Sequence, residues 1–208
     1  MNKIHEVDEK EYTYYADLLF NKLGIPETEG TEGTPARIAK MIPELFEGLY
    51  KDISYLNEQM TTFKAPRHSS PIEVKGIPFY SMCEHHMLPF FGFVDIVYTP
   101  RETILGLSKF NRIVKYFSRK PQVQERLTEE IAEYIFKVLQ PENVKVVLRD
   151  CRHMCMEMRG VNQPSNTTTE ILLESPSLIS TPEEFKKSIA RSRANIDRIR
   201  GEINGSRY

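Results

Sequence analysis

Two short clusters of cysteine and histidine, far apart in the chain, constrain its fold more than any other feature. The first cluster is Cys83-Glu84-His85-His86, and the second is Cys151-Arg152-His153-Met154-Cys155. Cys83 and His86 have the C-x-x-H spacing that allows one tight loop to chelate one ion. The two clusters suggest a single site that the fold closes. We interpret the rest of the chain as scaffold or substrate-binding surface for that site.

The residues alone leave the number of metal ligands open. If residues 150–156 are extended, Cys151, His153 and Cys155 project from one face of a strand. Zinc suits mixed thiolate and imidazole ligands. A structural zinc site usually closes with four protein ligands, whereas a catalytic one keeps three and a water. We interpret Cys151 as a small buried hydrophobe. The surplus histidines favour catalysis, because proton transfer near neutral pH uses imidazoles that do not bind the metal.

The composition is that of an ordinary globular protein. The 208 residues are 40% hydrophobic and 27% charged, with a formal net charge of -1. This balance argues against a nucleic-acid partner, although a local basic pocket is compatible with it. No apolar run has membrane-spanning length and residues 1–6 lack an apolar signal core, so we expect a cytoplasmic protein with no membrane partner. In a reducing compartment, cysteines among histidines favour metal binding or catalysis over a disulfide.

Periodicity and turn residues predict the order of the secondary-structure elements. Helices are expected over residues 8–23, 34–42, 108–117, 121–140 and from Thr181 onward. Strands are expected over residues 72–82, 90–98, 103–107, 144–148 with a continuation into the second cluster, and 167–173. Pro43 is expected to kink or end the second helix, and Ser108 to cap the third. The order predicts an α+β fold with a largely antiparallel sheet.

We divide the chain into three parts of one functional unit. Residues 1–70 are interpreted as an N-terminal helical region in which 61–70 form an irregular linker, residues 71–175 as the catalytic core, and residues 176–208 as a C-terminal helix and tail.

Five segments together resemble the GTP cyclohydrolase I family, in its zinc-dependent type IA form. They lie in the family's order and spacing between about Thr34 and Glu170. The segments are Cys83-Glu84-His85-His86; Gly106-Leu107-Ser108-Lys109; Arg112; Gln122-Val123-Gln124-Glu125-Arg126-Leu127-Thr128; and His153-x-Cys155-Met156-x-x-Arg159-Gly160-Val161. One such segment would be weak evidence, but five together are specific. Cys151 departs from the family, which usually has a small apolar residue there.

The resemblance implies a fold, an assembly and a reaction. The fold is the tunnelling fold, with helices on one side of an antiparallel sheet and with sheets joined between subunits into a barrel. The assembly is a homodecamer of two pentamers. The reaction is zinc-dependent hydrolysis of GTP at C8 of the guanine imidazole ring, which gives 7,8-dihydroneopterin triphosphate and formate. It is the first step of tetrahydrofolate or other pterin synthesis.

The resemblance also implies a role for each matching residue. One zinc per subunit would be held by Cys83, His86 and Cys155, with water as the fourth ligand. The acid/base residues would be His85 and His153. Guanine would be bound by Glu125, with Gln124 beside it. Ribose and triphosphate would be held by Ser108, Lys109, Arg112, Arg159 and Arg37. The cations suit GTP, whose triphosphate carries several negative charges that a nearly neutral chain must match locally.

Two alternatives compete with this interpretation. One is another tunnelling-fold enzyme acting on a purine or pterin, such as the nitrile reductase of queuosine synthesis. That enzyme uses a cysteine nucleophile and NADPH, without this set of zinc ligands. The other is a zinc-stabilised binding module whose basic C-terminal helix grips nucleic acid or a protein partner. It predicts a strongly salt-dependent complex and no turnover of GTP.

Overall fold

The computed structural model describes residues 8–67 and 70–175. Within them the helices are α1 (Glu9–Leu23), α2 (Thr34–Leu45), α3 (Glu47–Tyr50), α4 (Ile53–Asn57), α5 (Leu107–Ser118), α6 (Gln124–Leu139) and α7 (Met154–Glu157). The strands are β1 (Thr62–Lys64), β2 (Ile72–Cys83), β3 (Pro89–Thr99), β4 (Thr103–Leu105), β5 (Pro121–Gln122), β6 (Asn143–His153) and β7 (Thr167–Glu174). The helix predicted from Thr181 and the tail lie outside the described residues.

The first helix has the ends that its sequence predicts. Asp8 caps α1 by accepting hydrogen bonds from the amides of Lys10 and Glu11, and Gly24 ends the helix with a left-handed backbone at φ 69°. Tyr15, Leu18, Leu19 and Leu23 form an apolar stripe along this helix, and all four side chains are exposed in the single chain. The stripe therefore makes little contribution to the core of one chain.

The sheet at the centre of the fold has five strands in the order β5-β2-β3-β6-β7. The pairs β2–β3, β3–β6 and β6–β7 are antiparallel, and only the short β5 runs parallel to its neighbour β2. The predicted α+β class with a largely antiparallel sheet is therefore confirmed. A second sheet consists of β1 and β4, so part of the predicted irregular linker is a strand.

Burial alternates along β3, because successive side chains of a strand lie on opposite faces of the sheet. Phe90, Gly92, Val94, Ile96 and Tyr98 are buried, whereas Phe91, Phe93, Asp95 and Val97 are not. The buried face packs against α5 and α6, whose apolar sides join the same hydrophobic core. The opposite face includes exposed aromatic side chains, with Tyr80 62% and Phe93 41% exposed. In one chain the long helices therefore cover one side of the sheet.

Three predicted helix boundaries are wrong. The second helix does not end at residue 42, since Pro43 lies inside α2, which continues to Leu45; a kink at Pro43 stays a prediction. Gly106, not Ser108, occupies the N-cap position of α5, and no side chain caps that end. Pro121 starts the short strand β5 because it pairs with Met82, and α6 begins only at Gln124. In the last case pairing with a distant strand overrides the local preference of proline for a helix start.

No helix among residues 8–67 and 70–175 combines the length and apolar character needed to cross a membrane. The cytoplasmic location and the three-part division of the chain stay predictions.

Candidate metal centre

The sheet topology explains why two distant clusters meet. Both β2 and β6 pair antiparallel with β3, so both strands end beside its start. Met82, at the end of β2, pairs with Pro89, and His153, at the end of β6, pairs with Phe90. The first cluster lies at the end of β2 and the second at the end of β6, so the fold brings both to the same end of the sheet.

The first cluster is held in a tight turn after β2. Cys83 is buried at the end of the strand, and residues 84–86 form the turn. The amide of Met87 donates to the carbonyl of Cys83 at 2.8 Å, and the amide of Cys83 donates to the carbonyl of Leu88 at 2.8 Å. Met87 has a positive φ of 53°. These bonds bring His86 back over Cys83.

The second cluster is only partly extended, which corrects the prediction that residues 150–156 continue one strand. Pairing between β3 and β6 shifts after Arg149, where Asp150 has a φ of 53°. The strand ends at His153, and the single helical turn α7 then carries Cys155. Cys155 therefore reaches the first cluster because the chain turns, not because it shares a strand face with His153.

Three side chains at this end of the sheet form a group that could hold a metal ion. The ligand atoms of Cys83, His86 and Cys155 all lie within 4.8 Å of one another. Residues 8–67 and 70–175 contain no other such group of three or more potential metal ligands. Two thiolates and an imidazole are a donor set that suits zinc. Burial and the adjacent Cys83 thiol raise the pKa of Cys155 to about 11. Metal binding must therefore displace a proton from this thiol.

Cys151 lies apart from this group. It is completely buried, and its thiol donates to the carbonyl of Arg149 at 3.5 Å. Burial raises its pKa to about 12. A Cβ atom at Gly92 would come within 2.8 Å of the Cys151 sulfur, so this pair packs too closely for a larger residue. These features fit the predicted role of Cys151 as a small core residue.

The two cluster histidines that lie outside the metal group, His85 and His153, have different surroundings. His85 is exposed, with Nδ1 3.7 Å from the sulfur of Cys83. His153 stacks on Phe90, with ring centroids 4.8 Å apart, and its Nε2 lies 2.8 Å from Oε1 of Gln124. Burial lowers the pKa of His153, while the negative charges of Glu125 and Glu157 raise it in part. His153 is therefore a partly buried imidazole fixed at one nitrogen.

Gln124 is part of a hydrogen-bond network that sequence reasoning missed. Its Oε1 also accepts from the hydroxyl of Thr167 at 2.6 Å, and its Nε2 donates to Thr169 at 3.1 Å. The hydroxyl oxygens of Thr128 and Thr169 lie 2.6 Å apart, and the Thr128 hydroxyl donates to the backbone carbonyl of Gln124 at 2.8 Å. These partners on β7 and α6 fix the orientation of the amide, so its oxygen faces His153. No local sequence pattern predicts the contact between Gln124 and His153, because the two residues are distant in the chain.

The residues expected to bind guanine and phosphate lie on several elements. Glu125 is in the first turn of α6, close enough for its charge to act on His153. Ser108 and Lys109 are in the first turn of α5. Arg112 donates to Gln59 at 2.7 Å, and Arg37 donates to the carbonyl of Gly30 at 3.4 Å. Arg159 is exposed, and its charge acts on Cys155. Their roles toward substrate stay predictions.

Comparison with known families decides the classification. The family model described as GTP cyclohydrolase I matches residues 15–185. The chain belongs to the GTP cyclohydrolase I family. The matched range contains every residue assigned to the site by sequence, from Arg37 to Arg159. The sequence-based family assignment is confirmed.

Relatives in the GTP cyclohydrolase I family are similar over most of their length. The protein named GTP cyclohydrolase 1 of Pelotomaculum thermopropionicum is 40% identical over 178 residues, which are 85% of this chain and 88% of the relative. That of Hydrogenobaculum sp. is 47% identical over 163 residues, 77% of this chain and 86% of the relative. A solved archaeosine synthase QueF-Like, in the apo form, aligns with 51% of this chain and 95% of its own at 20% identity and a TM-score of 0.39. That likeness is too weak to carry an argument.

Proposed function

We propose that this protein is a zinc-dependent GTP cyclohydrolase I. It hydrolyses GTP at C8 of the imidazole ring and yields 7,8-dihydroneopterin triphosphate and formate. The observation that carries the proposal is the convergence of Cys83, His86 and Cys155 beside His153 in a chain of this family. This convergence supplies a metal-binding group and a proton-transfer group at one end of the sheet.

The donor set and its surroundings support zinc as the resident ion. Cys83, His86 and Cys155 would provide three ligands, the number typical of catalytic zinc sites. Zinc bound in such a site lowers the pKa of a coordinated water toward neutrality. The fourth position would remain for that water, because Cys151 is buried elsewhere in the core.

His153 is placed to exchange protons with substrate through one nitrogen. The Gln124 oxygen accepts a hydrogen bond from Nε2, so Nε2 carries a proton and Nδ1 keeps its lone pair in the neutral ring. Because burial lowers its pKa, the ring is mostly neutral at pH 7 and can take up a proton. His85 lies on the exposed side of the metal group and would serve the later steps, in which the opened ribose rearranges.

The remaining predicted residues would bind the two ends of the nucleotide. The Glu125 carboxylate can accept both the N1–H and the 2-amino hydrogens of guanine, a pair that adenine does not offer. The triphosphate would be held by Ser108, Lys109, Arg112, Arg159 and Arg37. The first turn of α5 would add backbone amide donors near Ser108 and Lys109.

The single chain presents surfaces that support assembly into a larger ring. Among residues 8–67 and 70–175, residues 72–74 and 77–81 of β2 pair on one side with β3, whereas β5 reaches only Met82 and Cys83 on the other side. Such an open edge favours pairing with another strand. The exposed stripe of α1 and the exposed aromatics of the sheet also favour partner contacts. We propose that sheets from several subunits close a barrel, in a decamer of two pentamers.

One assay tests the proposed function. The purified protein, loaded with one equivalent of zinc, is incubated with GTP, and the products are analysed for formate and, after oxidation, for a fluorescent pterin. We expect both products in equal amounts, and their loss after zinc is removed by a chelator. Zinc binding without formate release would contradict the proposal and favour the binding-module alternative.

A further inference from the structure

We propose that Arg126 is a positioning residue for the metal loop, which we define as residues 83–86, and that it acts through Glu84. The inference rests on the proposed function, since it concerns the affinity of that loop for zinc. Arg126 lies in the first half of α6 and forms an ion pair with Glu84. Glu84 lies between the two ligands that the metal loop supplies, Cys83 and His86.

Arg126 is itself braced by groups on β5. Its Nε donates to Oε1 of Gln122 at 2.7 Å, and its Nη2 donates to the carbonyl of Pro121 at 3.2 Å. Together with Glu84 these acceptors engage two of the three guanidinium nitrogens, Nε and Nη2. The side chain therefore has a fixed direction, which a flexible surface ion pair would lack.

Gln122 makes the brace rigid. Its side chain is completely buried, and its Nε2 donates to the carbonyl of Phe117 at 3.1 Å and to Oε2 of Glu130 at 2.7 Å. The carbonyl of Gln122 accepts the amide of Glu84 at 3.1 Å. Glu84 is thus held at its backbone by β5 and at its carboxylate by Arg126. Both the backbone and the side chain of Glu84 are therefore fixed.

The start of α6 connects both halves of the metal centre. Gln124 holds His153 of the second cluster, and Arg126 holds the metal loop through Glu84. Partners of this kind orient the ligands of a metal site, and their loss typically lowers metal affinity about 10–100-fold. We therefore assign Arg126 to the geometry of zinc binding, not to contact with substrate.

The test compares the zinc affinities of the unmodified protein, three variants and one control variant, measured by competition with a chromophoric chelator. The variants are Arg126→Met, Glu84→Gln and the double variant, each in the full chain. The matched control is Lys145→Met, which breaks the exposed ion pair between Lys145 and Glu170 on β6 and β7. The sign for Arg126→Met is decisive. Removing a positive charge near the cation site would tighten zinc binding by electrostatics alone, whereas losing the brace weakens it.

We expect Arg126→Met and Glu84→Gln each to weaken zinc binding about 10–100-fold. The double variant should bind zinc about as weakly as the single variant with the larger loss, because both substitutions break the same ion pair. The control should bind zinc like the unmodified protein. Unchanged or tighter zinc binding by Arg126→Met would overturn the inference. It would also be overturned if the loss of zinc affinity in the double variant equalled the product of the two single losses. Glu84→Gln keeps the shape of the side chain, and unchanged zinc binding by this variant would also overturn the inference, so the inference stays falsifiable if Arg126→Met fails to fold. An unmodified chain that binds no zinc would contradict the proposed function instead.

Discussion

The metal centre and the proposed triphosphate site are built in different ways. The metal-binding group is complete within one chain, with ligand atoms within 4.8 Å of one another. The cations expected to hold the triphosphate lie on α2, on α5 and after α7. Arg37 donates to the carbonyl of Gly30 and Arg112 donates to Gln59, whereas the charge of Arg159 acts on the metal group.

This difference teaches which part of the site one chain can organise alone. A metal centre requires a few short, rigid segments, and the ends of β2 and β6 supply them because both strands pair with β3. A triphosphate requires several cations around an extended anion. One chain that collected them all without substrate would face strong repulsion between like charges. Cations contributed by two chains at a subunit boundary would avoid part of that cost.

The largest expected effect is loss of the metal from either cysteine variant. Cys83→Ser and Cys155→Ser each replace a thiolate with a hydroxyl, which is a poor zinc ligand at neutral pH. We expect zinc content to fall from about one ion per chain to a small fraction of that, with loss of formate release. Metal analysis after gel filtration measures the first quantity. Full zinc and activity in either variant would contradict the ligand assignment.

Cys151→Ala is the matched control for these two variants. Cys151 is a buried thiol near the same edge of the sheet, but it packs against Gly92 and bonds to the carbonyl of Arg149. We expect its variant to keep zinc. Loss of zinc there would mean that Cys151 binds the ion in the folded enzyme.

The next largest effect is expected in turnover and not in zinc content. His153→Ala removes a ring that lies beside the metal group without belonging to it. Groups that act in general acid–base catalysis typically contribute about 10²–10⁴-fold. We expect a loss of that size in kcat with zinc unchanged. An active variant, or one that no longer binds zinc, would contradict the proton-transfer role.

The sheet could be predicted because its strands carry their own pattern. Alternation from Phe90 to Tyr98 predicts a strand whose successive side chains lie on opposite faces, and the β-branched run from Thr167 predicts β7. The helix predicted at Pro121 failed because β5 pairs with β2 there, an interaction between segments distant in sequence. Local propensity is a weak guide where tertiary pairing decides the backbone.

The site could be predicted as a list of residues but not as a geometry. The clusters nominate Cys83, His86 and Cys155, yet the sequence predicted a strand through Cys155 where the chain forms a helical turn. The contacts of Gln124 with His153 and of Arg126 with Glu84 are side-chain pairings across the fold. Such pairings follow from the three-dimensional packing of α6 against both clusters, so no local pattern indicates them.

A smaller effect is expected at the guanine end. Glu125→Gln replaces one acceptor oxygen with a donor that would face a guanine N–H. Because hydrogen bonds to charged groups contribute about 1.5–3 kcal/mol, we expect the Kd for GTP to rise about 10–100-fold while zinc stays bound. Isothermal titration measures the affinity. Inosine triphosphate, which lacks the 2-amino group, should bind more weakly than GTP to the unmodified protein, with a smaller difference in the variant. Equal GTP affinities in both proteins would place the guanine site elsewhere.

The smallest expected signal bears most directly on the comparison between the two halves of the site. Cys83→Ser disables the metal centre and Arg112→Ala removes a proposed phosphate contact. If one site uses Cys83 from one chain and Arg112 from its neighbour, random reassembly of an equal mixture gives both intact groups at about a quarter of the sites. We expect activity to recover toward about that fraction after dissociation and reassociation. Mixing Cys83→Ser with Cys155→Ser is the control, since their ligands belong to one chain and no recovery should follow. Light scattering and a mass-tagged subunit verify assembly and exchange. Absence of recovery despite proven exchange would place Cys83 and Arg112 of each site on the same chain, and the triphosphate site would then have to form within one subunit when GTP binds.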